Sequence, residues 1–373
     1  MKRSNSKILL VGGAVRDLLT GKKASDYDFL VADGSISNFK LRFPESISAG
    51  KSHTVFIVDG YEYSFPRNGG NSPDERIDND LIERDFTINA LALDEDGELY
   101  THPDSLFDIY NKMLRPTSSH ALIADPLRIF RAAGLYARFP ELNPSSELMM
   151  GMKKCSEHNL LSNLAPDRIA MEVRKALSGK SPGNFIRLLH KTNCLDPWFK
   201  CFATRTDSCP HNILNTRIDS SAKLMDKMNF NSIFCWGALC HSLGRSFSNN
   251  LKALNKINSI GQQQAFYLGK KLKLPNKYIK AGEISAGYFK LACNYKKLTV
   301  DTKVDLLLKL HSTNLLDMMK SLTAAEESVG LMESAQKELD TILKVRLKPN
   351  DQNRGRDSGR ILREMRIETL KKI

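Results

Sequence analysis

Four apolar residues, Ile8 to Val11, stand between a basic N-terminus and a Gly-Gly pair. A short apolar run with such flanks has the length of a buried strand. Gly12-Gly13 behind it is where a main chain turns tightly or lets a ligand come close. Ala14 to Leu19 then reads as one short helix ending near Gly21, and after Lys22-Lys23 the segment Asp26-Tyr27-Asp28 runs into a second apolar run, Phe29 to Val31. Further on, Ser52 to Val58 is β-branched and apolar, Asp59-Gly60 is a strong hairpin dipeptide, and Tyr61 to Phe65 alternates behind it. Pro66 to Pro73 is a loop signal, and Asp80 to Leu93 is expected to resume as a helix with Arg84 and Asp85 in its early turns. Apolar stretches at Leu91 to Leu93 and Leu99-Tyr100 flank the turn Glu95-Asp96-Gly97, and His102-Pro103-Asp104 with Asp108 close an α/β head.

From Ala124 the period becomes helical. Leu127, Phe130, Ala133 and Ala137 fall at three-to-four spacing, with Arg128 and Arg131 between them. Leu161 to Leu177 carries Asp167 as a helix-start signal with Pro166 near the first turn. Phe185 to Leu195 reads as a further helix, and Lys-rich and apolar segments alternate from there to about residue 340 without a detectable repeat. The pattern predicts an α+β chain: a head over residues 1–118, then an all-helical neck (119–180) and a helical body and tail (181–373).

A length of 373 residues suits two or three domains, and a 41% hydrophobic, 26% charged composition is that of a globular chain. The net charge of +13 and pI near 9.3 change the picture more: they favour an anionic partner, of which nucleic acid is the commonest, although charge alone does not separate it from a membrane surface. The seven cysteines make an odd count without a C-x-x-C pair, which argues against a disulfide framework or structural zinc and fits reduced, mostly buried thiols. The apolar run after MKRSNSK is too short for a signal segment and none reaches membrane-spanning length, so a cytoplasmic protein with no membrane partner is expected. No protein partner is implied. The segment from Lys344 to the end holds ten Lys/Arg against four Asp/Glu, either a solvated helix face or a contact with RNA phosphates.

On a strand, Asp26 and Asp28 would share a face about 7 Å apart. Two carboxylates beside a glycine turn suit Mg2+, which is typically held by one or two carboxylates together with substrate phosphates. Glu62 on the returning strand is either a third carboxylate or an exposed strand residue. The main chain at Gly12-Gly13 and the helix start behind it can meet triphosphate oxygens. Arg16 adds charge there, or else pairs with Asp17. Phosphoryl-group transfer asks for such positioning and charge neutralisation.

The strand-GG-x-V-R-D…D-x-D stretch of residues 8–31 resembles the head of the class II tRNA nucleotidyltransferase and bacterial poly(A) polymerase family, in the polymerase-beta superfamily. Arg84-Asp85-Phe86-Thr87-Ile88-Asn89-Ala90 is similar to the family's R-R-D-F-T-x-N-A block, Asp125-Pro126-Leu127-Arg128 to its E-D-x-x-R block, and Asp167-Arg168-Ile169-x-x-Glu172 to E-R-I-x-x-E. The resemblance covers residues 8–180 with ordered motifs. It implies a polymerase-beta-like head and template-independent addition of CCA, or only CC, to the 3′ end of tRNA from CTP and ATP with Mg2+. It further implies that Asp26 and Asp28 hold the metal and that Gly12, Gly13, Arg16, Arg84, Asp85, Asn89, Arg131 and Arg168 contact the nucleotide. Asp125 and Arg128 would then read the base edge, where C and A both present an amine; a plain i,i+3 helix pair is the alternative for them.

Three positions depart from the family pattern. Glu83 stands for the first arginine, Gly134 for a later one, and Ala124 for the glutamate whose carboxylate would hold the templating arginine. The interval Phe65 to Asp80 is compact and loop-like, and in this family a shortened loop accompanies CC-only addition. A poly(A) polymerase ranks behind that reading, since the acidic and arginine-rich extensions of that branch are not evident. An RNA-binding protein that has lost catalysis is the non-enzyme alternative. Leu239-Cys240-His241-Ser242-Leu243-Gly244 resembles L-C-H-D-L-G of an HD phosphohydrolase, but with Ser242 in place of the ligating aspartate, so His241 is expected in the core.

Overall fold

The computed structural model describes residues 7–24, 26–49, 55–66, 70–203, 211–228, 230–244, 251–326 and 332–372. By their packing these fall into two compact units, Met1–Ala132 with Pro140–Leu161, and Ala133–Phe139 with Ser162–Ile373.

The first unit is built on a sheet. Ile8–Val11 (β1), Asp28–Val31 (β2), Ile47–Ala49 (β3), Val55–Val58 (β4), Tyr61–Ser64 (β5), Leu91–Leu93 (β6) and Leu99–Thr101 (β7) lie in the order β3-β4-β5-β2-β1-β6-β7. Neighbours are antiparallel except β2 and β5. Helices α1 (Gly13–Leu19), α2 (Ile36–Arg42) and α3 (Pro73–Ile82) accompany it. Side chains alternate across the pleat. Leu9, Val11 and Leu30 therefore pack with Ile77 and Leu81 of α3, while Ile8 and Val31 pack with Phe39 of α2 and with Phe56. Burial on both faces is why β1 is apolar at every position. The β4–β5 turn is a primed hairpin, with Asp59 and Gly60 at φ 50° and 85° and Val58 facing Tyr61. Of the strand expected over Ser52 to Val58, residues 52–54 lie outside the described residues, as do 67–69 of the following loop.

The helix expected over Asp80 to Leu93 is not formed. α3 begins earlier, at Pro73, because Ser72 caps it by accepting from the Glu75 N–H (3.1 Å) and Asp74 and Glu75 supply acidic charge in its first turn. It ends at Ile82; one 3-10 turn, Thr87–Asn89, then leads into β6. The run Ile88, Ala90, Leu91 and Ala92 is buried as a strand is, not as one stripe of a helix. From Pro73 onward the interval expected to be loop-like through Asp80 is thus helix α3. Asp26 lies ahead of β2, which starts at Asp28, so the two carboxylates are not neighbours on one regular strand.

Beyond the sheet come α4 (Ser105–Tyr110), α5 (Ala121–Ala124), α6 (Arg128–Arg138) and α7 (Ser146–Glu157). Two short parallel strands pair, Met113–Leu114 (β8) in the head and Asn143–Pro144 (β9) within the stretch expected to be helical. The second unit consists of α8 (Pro166–Leu177), α9 (Gly183–Lys191), α10 (Lys200–Ala203), α11 (His211–Asp226), α12 (Ser232–Cys240), α13 (Leu251–Lys271), α14 (Asn276–Cys293), α15 (Val300–Thr313), α16 (Leu316–Ala325), α17 (Ala335–Lys344) and α18 (Arg356–Lys371). α9 stops short of the expected Leu195 because Asn193 turns into the left-handed region at φ 59°.

α12 (SIFCWGALC) is apolar around its whole circumference, the signature of a helix buried on all sides. Asn231 caps it by accepting from the Ile233 and Phe234 N–H groups, and Cys235 to Cys240 are all buried. The six described cysteines are free, and Cys209 lies outside the described residues. His241 and Ser242 behind α12 are core residues: the His241 ring meets the Ala238 carbonyl and Phe289, and Ser242 Oγ accepts from Ser221 Oγ (2.8 Å). No described helix is long and apolar enough to cross a membrane.

α9 starts against the main chain of α11, and a Cβ on Gly183 would lie 2.3 Å from the Ala222 carbonyl oxygen. Gly183 N also donates to Asp226 Oδ1 (2.8 Å), so the helix cannot simply retreat. Gly183→Ala is expected to cost about 1–3 kcal/mol of stability, read as a lower urea midpoint with an unchanged m-value.

Candidate active site

The carboxylate edge and the glycine turn meet at the ends of β1 and β2. Asp28 is the register partner of Val11 on one side and of Glu62 on the other. Residues directly opposite share a face, with neighbouring strands about 4.8 Å apart. Asp28 and Glu62 therefore stand side by side on the face that also carries Val11 and Leu30, and Gly12 follows immediately. Asp26 and Asp28 are both exposed. Among the described residues no group of three His, Cys, Asp or Glu is gathered closely enough to hold a metal ion by itself. An exposed pair of carboxylates fits a hard cation that takes its remaining oxygens from a nucleotide and water.

Gly12 has φ 76° and ψ −136°, a conformation open to glycine alone. Its N–H donates to Leu91 O (2.9 Å), which ties the turn to β6. A Cβ here would sit 3.2 Å from Arg84 Nη1, and one on Gly13 would sit 3.4 Å from Arg16 Nη2. Two guanidinium groups thus lie against the glycine turn, one from each side.

Each guanidinium is held by side chains. Arg16 Nη2 pairs with Asp17 Oδ1 (2.7 Å), the alternative weighed from sequence, and its Nη1 also donates to Asn89 Oδ1 (2.6 Å). Arg84 Nη2 pairs with Asp80 Oδ2 (2.9 Å), one helical turn earlier. Asn89 Nδ2 reaches Asp85 Oδ1 at 3.4 Å, and Asp85 Oδ2 pairs with Arg131 Nη2 (2.6 Å) and Nε (2.8 Å). Burial pushes the Asp85 carboxyl up, but the charge of Arg131 and the hydrogen bonds from Arg131, Asn89 and Phe86 N outweigh it and hold the group below its ordinary value.

Arg128 reaches the main chain ahead of the buried block. Its Nη1 donates to Arg84 O (3.0 Å) and its Nη2 to Glu83 O (2.5 Å), while Asp125 Oδ1 accepts from Leu127 N (3.2 Å). The contact with residue 83 uses its main-chain oxygen and is indifferent to Glu or Arg there. Ala124 is exposed and adds no carboxylate, while two main-chain carbonyls accept from Arg128.

Gly12, Gly13, Arg16, Arg84, Asp85, Asn89, Arg128 and Arg131 are therefore joined by direct contacts within the first unit. Asp28 adjoins them through β1, and Asp125 lies three residues before Arg128. Arg168 lies on the exposed side of α8, in the second unit. On α6, a Cβ at Gly134 would come to 3.8 Å from Glu172 Oε2, an ordinary contact, so the close packing there does not demand glycine.

Several supports were not picked out from sequence. Thr117 Oγ1 donates to Arg84 O (2.6 Å), Ser105 Oγ donates to Thr87 O (2.7 Å), and Thr87 Oγ1 donates to Asp108 Oδ2 (2.6 Å). Arg115 Nε stands 3.2 Å from Asp108 Oδ2, and burial nevertheless raises the Asp108 carboxyl. The Asp80–Arg84 pair, also not picked out, does carry a local signal in its helical spacing of four.

Carboxylates at the start of an interior strand, a glycine turn flanked by two arginines and a following series of helices fit the nucleotidyltransferase class. Residues 8–115 match the model of the Poly A polymerase head domain, and residues 141–205 match that of the probable RNA and SrmB-binding site of polymerase A. The chain is 32% identical over 295 residues to the Multifunctional CCA protein of Tolumonas auensis, covering 72% of this chain and 71% of that one. It is 32% identical over 302 residues to the Multifunctional CCA protein of Haemophilus ducreyi, covering 72% of each. The chain belongs to the family of CCA-adding enzymes and poly(A) polymerases, which are metal-dependent nucleotidyltransferases. Its fold is shared with a CCA-adding enzyme solved with CTP (TM-score 0.69, 18% identity, 98% of this chain and 87% of that one). It is also shared with the Thermotoga maritima CCA-adding enzyme solved with tRNA (TM-score 0.68, 17% identity, 98% and 88%).

Asp85 carries a pH signature. Its folded value lies below its ordinary 3.8, so its contribution is complete above that pH and is lost as the pH falls through the lowered folded value. Asp85→Asn should remove this acid-limb slope from unfolding free energies measured at successive pH values. At neutral pH it should cost about 1–2 kcal/mol, the low end for a charged hydrogen bond because solvent screens the half-exposed Arg131.

Proposed function

We propose that this chain extends the 3′ end of tRNA with C and A taken from CTP and ATP, without a nucleic-acid template, in the cytoplasm and with Mg2+. The observation that carries the reading is the convergence of Asp28, the Gly12-Gly13 turn and the guanidinium groups of Arg16 and Arg84. The 3′-hydroxyl of the tRNA attacks the α-phosphate of the nucleotide, the bond to the β-phosphate oxygen breaks, and pyrophosphate leaves. Mg2+ bound by Asp26 and Asp28 would neutralise phosphate charge and favour the ionised hydroxyl. Arg16 and Arg84 orient the triphosphate, with main-chain N–H groups at the turn completing its contacts. The Asn89–Asp85–Arg131 chain keeps Arg16 in place and meets the ribose side. Asp125 accepts from the exocyclic amine common to C and A, and Arg128 donates to the ring edge, its orientation set by the carbonyls of Glu83 and Arg84. Arg168 is carried as a further nucleotide contact on the family motif alone.

CC-only addition is the second reading, favoured by the compact sequence interval from Phe65 to Asp80 and by Ala124. Purified protein given a tRNA ending at the discriminator base, Mg2+ and single or paired nucleotides is expected to stop at CCA. A stop at CC would establish the second reading, a long A ladder would mark a poly(A) polymerase, and no product would leave a catalytically silent RNA-binding protein.

Asp26→Ala and Asp28→Ala are each expected to abolish addition in that assay while the thermal midpoint stays close to wild type, since both side chains are exposed. Activity persisting at more than a trace would remove the metal assignment.

A further inference from the structure

His102 ties two parts of the first unit together with each of its polar atoms. Its main-chain N–H donates to Ala90 O (3.0 Å) and its carbonyl accepts from Ser105 N (2.9 Å), which fixes the residue between β6 and the start of α4. Its half-buried ring makes two further bonds, both to main chain. Nδ1 meets the Asp104 N–H (3.2 Å) and Nε2 meets Thr117 O (3.1 Å). Thr117 is buried and clamps the main chain of residues 84 and 85: its N–H donates to Asp85 O (3.3 Å) and its Oγ1 to Arg84 O (2.6 Å). One residue therefore separates the imidazole from the arginine whose guanidinium lies against Gly12.

These partners leave the ring a single protonation state. A main-chain N–H can only donate and a carbonyl can only accept. Nδ1 must then be bare, and Nε2 must carry the proton. The other neutral tautomer sets donor against donor at Asp104 and acceptor against acceptor at Thr117. The imidazolium keeps its donor for Thr117 but turns a second N–H on the N–H of Asp104. The charged groups on the elements packed around the ring are Asp104 and Asp108 of α4, Arg115 ahead of Thr117, Arg84 and Asp85, and Glu147 of α7. Asp104 and Asp108 turn their carboxylates to Arg115 (3.7 and 3.2 Å), Arg84 pairs with Asp80, and Asp85 pairs with Arg131. Glu147 lies near Arg115 and Asp108.

We propose that His102 is a positioning residue for the triphosphate site and works only as the neutral imidazole with its proton on Nε2. In that form it holds Thr117, and through Thr117 the main chain of Arg84; a second proton drives the ring off Asp104 and loosens the hold. The inference rests on the nucleotidyl-transfer reading above. Two variants divide the ring's bonds. His102→Asn keeps an oxygen for the Asp104 N–H, as in an Asx turn, and loses the donor to Thr117. His102→Gln keeps a donor for Thr117 and loses the other bond. Full-length proteins would be assayed with CTP and a tRNA transcript from mildly acid to mildly alkaline pH. At neutral pH His102→Asn is expected to lose roughly tenfold in kcat/KM for CTP, with KM for tRNA and the thermal midpoint unmoved, and His102→Gln should recover most of it. Wild-type kcat should fall as the pH drops below neutral, because charging the ring opposes the Asp104 N–H, and His102→Gln should lack that limb. Burial raises the Asp108 carboxyl, but Asp108 is present in both proteins, so their difference isolates His102. As a readout independent of activity, long-range proton–nitrogen NMR spectra of the histidine-labelled chain should show His102 protonated on Nε2 alone at neutral pH. Its signal, assigned by its loss in His102→Gln, should titrate at the midpoint of the kinetic limb. A proton on Nδ1 at neutral pH overturns the proposal. So does wild-type kcat/KM in His102→Asn, which would leave the ring a cap on α4 only, and so does an unchanged acid limb in His102→Gln. If the wild-type chain binds CTP but adds no nucleotide, the activity above is removed, and calorimetry decides this inference separately. Weaker CTP binding by His102→Asn then upholds it, and equal binding overturns it.

Discussion

A buried main chain without regular structure has to find its hydrogen bonds elsewhere, and the stretch from Glu83 to Ala90 is in that position. α3 has ended and β6 has not begun, yet Asp85 to Ala90 are buried. Its carbonyls are answered from outside: Glu83 O and Arg84 O by Arg128, Arg84 O also by Thr117, and Thr87 O and Ala90 O by Ser105. Its N–H groups turn to the same neighbours, with Thr87 N donating to Arg115 O (3.0 Å). α4, the segment 115–117 and the start of α6 are thereby assembled around one irregular stretch, and its side chains are fixed as a consequence.

What those side chains form is a chain of alternating charge and amide. It runs from Asp17 through Arg16, Asn89 and Asp85 to Arg131, with contacts between 2.6 and 3.4 Å. An arginine buried without a partner would carry a heavy desolvation cost; here each is met by a carboxylate or amide, and the glycine turn leaves room for two of them. Asn89 is the hinge of the arrangement, because its carbonyl serves Arg16 and its amide serves Asp85. The glycine turn and helix α6 are linked through it.

The polar frame also explains how the family departures are accommodated. Glu83 reverses a charge, but its contribution to Arg128 is a main-chain oxygen that any residue supplies. Ala124 lacks the carboxylate that the motif provides, and the two carbonyls take over the task of fixing a guanidinium. Neither substitution disturbs the pairing of Asp85 with Arg131, which sits on the other side of the same block.

The strand–glycine–helix start, the primed hairpin at Asp59-Gly60, the helical character after Ala124 and the identity of the charged residues were all legible in the order of residues, because each depends on neighbours a few positions apart. The extent of α3 was not. Its apolar stripe at Ile77 and Leu81 merges into the buried run Ile88 to Ala92, and hydrophobicity alone does not tell a helix stripe from a buried strand. α2 and β3 went unnoticed for a related reason: much of their surface is exposed, and what defines them is packing of Phe39 and pairing with β4. Thr117 and Ser105 carry no local signal, since their partners lie at least fifteen positions away, and Asp108 meets Thr87 twenty-one positions away. The sequence by itself determined the chemistry available, in the form of carboxylates, guanidinium groups and a turn that only glycine can make. Which guanidinium answers which carboxylate or carbonyl was decided by the tertiary structure alone, because that choice depends on where β1, β6 and α6 bring distant main chain within hydrogen-bond reach.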